Sequence, residues 1–133
     1  MAVNNPYQSY QQNSVNTASP GELTLLLYNG CLKFIHLAKN AIKTNDIQAK
    51  NTNIQKAQSI VQELMVTLNM ELEVSENMMS LYDYMNRRLI EANVKNDTAI
   101  LEEVEGLVTD FRDTWKQVIQ LNRQKQHSKG GMA

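Results

Sequence analysis

Residues 98–122 read TAILEEVEGLVTDFRDTWKQVIQLN. Leu101, Val104, Val108, Phe111, Trp115 and Val118 recur at steps of three and four. That spacing draws one apolar seam down a helix, as in the inner face of a bundle. Leu107, Ile119 and Leu121 flank the seam, giving an apolar arc of about 160° with polar residues opposite. Asp97 stands where an N-cap belongs, and Glu102, Glu103 and Glu105 follow near the helix start, where negative charge is favoured. A helix so striped must be covered by neighbours, and the rest of the chain supplies them.

Working back from this segment, three more helices are predicted: about 20–43, 47–72 and 76–93, with the fourth over about 98–122. Ser19-Pro20-Gly21-Glu22 suits an N-cap, a first helical residue and a capping-box acid. Thr44-Asn45-Asp46 and Asn96-Asp97 read as turns whose aspartates cap the helices that follow, and Ser75 is the expected cap of the third. Lys39 and Lys43 sit where the first helix macrodipole favours cations. The second helix offers Ile54, Ala57, Val61, Leu64, Met65, Leu68 and Leu72 to a core. The third offers Met78, Leu81, Tyr82, Met85, Leu89 and Ala92. No strand alternation or hairpin dipeptide interrupts this pattern. Connections this short make neighbouring helices antiparallel. The expected fold is all-α, an antiparallel up-down four-helix bundle.

The first helix carries more than one stripe. Leu23, Leu27, Gly30, Phe34, Leu37 and Ala41 form one; Leu25, Tyr28, Leu32 and Ile35 form another. A helix apolar nearly all round is covered on several faces, by its own bundle or by something else. The apolar positions that look surplus to the interior are Leu25, Tyr28, Leu32, Ile100, Leu107 and Leu121, the candidate groove for a bound segment. Of the seven methionines, five cluster between Met65 and Met85; they read as core filling or as an adaptable surface.

Outside the bundle, residues 1–19 contain no charged side chain, and Tyr7 and Tyr10 are their bulky anchors. Disordered segments usually stay soluble through charge, so this N-terminal arm looks built to lie against its own domain or a partner. Residues 123–133 read as a flexible tail. The net charge of −1 and the lack of a basic stripe exclude a nucleic-acid binder. One cysteine, Cys31, permits no internal disulfide and fits a reducing cytoplasm. No signal peptide is evident, and no apolar run is long enough to enter a membrane.

The chemistry for catalysis is missing from the pattern. His36 and His127 lack the Glu three residues earlier that a di-iron bundle uses, and Cys31 and His36 fall on different helix faces. No phosphate-binding glycine loop exists. The expectation is a non-enzyme without metal or cofactor. Asp83 and Arg87, and Tyr84 and Arg88, are spaced to pair on a helix surface, which contributes a few tenths of a kcal/mol.

Asn5-Pro6-Tyr7, Tyr10 and the run Asn13-Ser14-Val15-Asn16-Thr17-Ala18-Ser19-Pro20-Gly21-Glu22-Leu23-Thr24 resemble the N-terminus of the flagellin-specific export chaperones, the FliS family. So do Leu81-Tyr82-Asp83-Tyr84-Met85-x-Arg87-Arg88-Leu89-x-x-Ala92-Asn93 with Asn96-Asp97, and the closing stretch from Glu103 to Gln117. The resemblance implies a cytoplasmic chaperone of flagellar type III export. Such a protein binds the disordered C-terminal segment of flagellin, prevents its premature polymerisation and delivers it to the cytoplasmic domain of the export-gate protein FlhA. It also implies that an arm bearing Tyr7 and Tyr10 lies over the bundle and moves for the client. A helical adaptor for another amphipathic segment is the alternative, and the wide apolar arcs leave a homodimer open.

Overall fold

In the computed structural model, backbone is described for residues 20–131 and side chains for 21–123. Among the described residues four helices follow one another: α1 Pro20–Lys43, α2 Ile47–Thr67, α3 Ser75–Lys95 and α4 Thr98–Gly131. Each packs on its two neighbours in a ring, α1 on α2 and α4, α3 on α2 and α4, with the α3–α4 seam the thinnest. This is the antiparallel bundle that the periodicity implies.

Its centre holds Ile35, Ala38, Ile54, Ala57, Ile60, Val61, Leu89, Ala92, Leu101 and Val104, all fully enclosed. Burying one such aliphatic side chain contributes about 1.5–3 kcal/mol. Cys31 is one of these core residues, and burial pushes its thiol up to about 12. The helices approach closely where α1 presents Gly30: a Cβ there would lie 3.2 Å from Ile60 Cδ1.

The two ends of the bundle are built differently. At one end, α1–α2 and α3–α4 turn by the same device. Asn45 and Asn96 take left-handed backbone (φ 58° and 53°), a conformation asparagine tolerates better than most residues. Each following aspartate donates its N–H five residues back, Asp46 to Ala41 and Asp97 to Ala92. Each then caps the next helix: Asp46 Oδ1 accepts from Ala49 N at 3.0 Å and Asp97 Oδ1 from Ala99 N at 2.8 Å. Lys50, only 4% exposed, donates from Nζ to the Asn93 carbonyl at 2.7 Å. A cation there satisfies one of the orphan carbonyls of the α3 C-terminus.

At the other end the sequence expectation needs correction. α2 stops at Thr67 rather than near Leu72, with Leu68 in extended conformation. Asn69 is the reason: its carbonyl accepts from Leu72 N and Ser75 Oγ, and its Oδ1 accepts from Glu71 N. Such local bonds compete with helix. Ser75 is therefore the first residue of α3 and ties the loop, while the N-cap position falls to Val74, which makes no side-chain cap bond. α4 also runs nine residues past Asn122, to Gly131. Residues 123–129 contain neither proline nor glycine and are rich in Lys, Arg and Gln, all good helix formers.

Candidate functional site

The open end holds a cleft of about 460 Å³. Its walls are the first turns of α1 (Gly21, Thr24, Tyr28), the end of α2 (Leu64, Thr67, Leu68), the loop (Asn69, Leu72, Val74), the start of α3 (Ser75, Met78, Tyr82) and α4 (Trp115, Asn122). Among the described residues, none that lines the cleft carries a charge. Leu72 and Val74, each 55% exposed, stand on the rim beside Met70.

Each wall is fixed from behind. Trp115 donates from Nε1 to the Gly21 carbonyl at 2.7 Å, which ties α4 to the start of α1. Arg123 pairs with Glu22 across the same junction. At the floor, the Tyr28 and Tyr82 hydroxyls meet at 2.6 Å. The Phe111 ring lies 6.0 Å from the Tyr28 ring and 5.7 Å from the Tyr82 ring, offset contacts that lock both phenols. Burial raises the pKa of both tyrosines above the usual value.

The surplus positions read from sequence divide. Tyr28 lines the cleft and is also core, 1% exposed. Ile100 is enclosed in the core at the opposite end, 6% exposed. Leu25 and Leu32 are half-buried on the α4-facing side of α1, the side from which Lys39 reaches Glu105 at 3.1 Å. Leu107 is half-buried and Leu121 is 64% exposed. Ile100 and Leu121 share a helix but lie about 30 Å apart at 1.5 Å per residue. These positions do not form one continuous groove. Tyr7 and Tyr10 lie outside the described residues.

Periodicity places Leu64, Leu68, Leu72, Met78, Tyr82 and Trp115 on bundle seams, whereas in the structure they also line the cleft, which local spacing does not reveal. The available signal was Asn69, the residue that breaks α2. Lys39, read as a dipole partner, instead bridges α1 to Glu102 and Glu105 of α4. The methionines split between the two roles: Met85 is core, Met65 and Met78 are half-buried, and Met70 is 55% exposed.

The Leu81–Leu89 motif does more than decorate a surface. Asp83 and Arg87 pair at 3.1 Å as expected, and Arg87, rather than Arg88, lies over the Tyr84 ring. Tyr84 and Arg88 both reach across to α4, each 2.7 Å from the Glu103 carboxylate. Arg88 also pairs with Glu91, which accepts from Lys95. This polar clasp spans the thinnest seam. The hydrogen bonds from Arg88 and Tyr84 hold Glu103 below the usual carboxylate range.

Among the described residues, no group of three or more His, Cys, Asp and Glu could hold a metal ion, and no helix is long and apolar enough to cross a membrane. Fold and cleft together define a helical-bundle protein with an apolar recess of peptide size. A family model described as "Flagellar protein FliS" matches residues 3–122. The chain is 63% identical over its full length, and over the full length of the relative, to the "Flagellar secretion chaperone FliS" of Bacillus subtilis (strain 168). It is 36% identical over 110 residues, 80% of this chain and 82% of the relative, to the protein of that name from Salmonella typhimurium. A solved structure described as a flagellar chaperone from bacteria superposes with a TM-score of 0.72 at 20% identity, covering 86% of this chain and 95% of that one, a likeness of fold. The chain belongs to the FliS family.

Proposed function

We propose that this protein is a cytoplasmic secretion chaperone that holds the disordered C-terminal segment of newly made flagellin. Holding that segment keeps flagellin subunits from polymerising early. The chaperone then presents its client to the cytoplasmic domain of the export gate protein FlhA. Family membership supports the chaperone role, and the uncharged cleft of about 460 Å³ is the observation that carries the client assignment. An amphipathic segment, unfolded when free, gains by placing apolar side chains against Leu68, Leu72, Val74 and Met78; its ordering entropy opposes that gain.

The half-buried Leu25, Leu32 and Leu107 and the exposed Leu121 extend the apolar surface away from the cleft, along which a longer client can continue. Residues 1–19 join α1 at Pro20, next to Gly21 on the cleft wall. From that position Tyr7 and Tyr10 act as a plug that the client displaces, and as part of the gate-docking face. Replacing both by alanine changes affinity for flagellin, for FlhA, or for both; unchanged affinity for both contradicts this role.

Calorimetry with a flagellin C-terminal peptide tests the whole reading. Folding on docking gives saturable binding with a large negative heat-capacity change. Absence of binding by that peptide, with capture of an unrelated amphipathic peptide instead, makes the protein an adaptor for another client.

A further inference from the structure

The cleft is apolar at its rim, and Tyr28 and Tyr82, each 1% exposed, close its base. Tyr28 and Tyr82 line it from α1 and α3, and each hydroxyl finds its sole hydrogen-bond partner among the described residues in the other. Two phenols facing each other make one hydrogen bond: one donates, the other accepts. The accepting phenol keeps an O–H of its own. A donor held at the base of an uncharged, largely apolar recess is costly unless something accepts from it. Phe111 holds both rings, so the two oxygens keep their places and the surplus O–H can only swing about its own C–O bond.

We propose that the Tyr28–Tyr82 pair sets the selectivity of the cleft: the bound client segment places a neutral hydrogen-bond acceptor on the surplus O–H while its apolar side chains cover the rim. That acceptor is a main-chain carbonyl or the oxygen of an Asn, Gln, Ser or Thr side chain. A carboxylate is disfavoured, because among the described residues no Lys or Arg lines the cleft to offset its desolvation. A site built around a buried polar group discriminates strongly against ligands that leave it unpaired. The pair therefore accounts for recognition of one register of an amphipathic segment over others of equal greasiness.

This inference rests on the client occupying the cleft, and the test separates the two ideas. Binding of a flagellin C-terminal peptide is measured for the unaltered protein, for L72D on the rim, for Y28F and Y82F, and for Y28F/Y82F, with melting curves for each. If the peptide fails to bind the unaltered protein, or binds L72D equally well, the cleft assignment itself fails. If the cleft assignment holds, Y28F/Y82F weakens binding about tenfold although its floor is more apolar. The single variants are unequal: loss of the hydroxyl that meets the client costs about tenfold, and loss of the other leaves affinity within about twofold. A purely structural pair lowers the melting temperature and leaves affinity alone. Unchanged or tighter binding by the double variant, or, should that variant not fold, unchanged binding by both single ones, overturns the proposal.

Discussion

The two ends of this bundle use the same helices to opposite purposes. At the turn end, two Asn-Asp corners and the Lys50–Asn93 bond satisfy the backbone, and Ile100 and Leu101 close the core, while Ile47 and Val94 stay exposed outside it. At the cleft end, α2 stops early, a loop tied through Asn69 and Ser75 replaces its last turn, and Met70, Leu72 and Val74 stand more than half exposed. Spare apolar surface in a bundle therefore need not be spread along the helices. Shortening one helix gathers part of it into a recess at one end, and the closed end secures the fold while the open end is free to bind.

The largest effect expected from this contrast comes from matched truncations. Leu101→Ala, in the enclosed core, lowers unfolding free energy by about 2–5 kcal/mol, whereas Leu72→Ala on the rim changes it by about 0.5 kcal/mol or less. Chemical denaturation of both variants checks this, and similar losses at the two sites would erase the distinction between the ends. Lys50→Ala follows. It strips the Asn93 carbonyl of its buried partner, at a cost of about 1–3 kcal/mol, with unfolding midpoints as the readout.

A smaller change at the open end sharpens the comparison. Trp115→Phe keeps an aromatic ring, though a smaller one, and removes the bond to the Gly21 carbonyl, a loss of about 1 kcal/mol or somewhat more. Hydrogen exchange should quicken at the start of α1 and stay unchanged at residues 41–50. Smallest is the clasp across the α3–α4 seam. Glu103 titrates below the usual range in the folded protein, so its contribution is present above the unfolded carboxylate pKa and fades as pH falls through the folded value. The melting-temperature difference between the unaltered protein and Glu103→Gln should be slight near neutral pH and shrink as pH falls below the ordinary carboxylate range. A difference that grows on acidification would contradict the assignment.

Much of this architecture was legible in the chain. The stripe through Leu101, Val108 and Trp115, the capping aspartates Asp46 and Asp97, and the Asp83–Arg87 pair all follow from local spacing. What escaped reading depends on contacts far apart in sequence. Leu72 continues the period of α2, so periodicity alone extends that helix over the residues that instead form the loop. Tyr28 looks surplus until Tyr82 and Phe111 close around it. Nor does a helical stripe reveal that Ile100 and Leu121 belong to opposite ends of the molecule. The cleft went unread for the same reason: its walls come from every helix and are seam residues in each one's own pattern.

Hydrogen exchange of the full chain, with and without a flagellin C-terminal peptide, tests most directly whether binding belongs to one end. Added protection should appear at residues 21–28, 64–75 and around Trp115, and not at 41–50 or 92–101. Protection centred on the Asn-Asp corners, or spread evenly over both ends, would contradict the account.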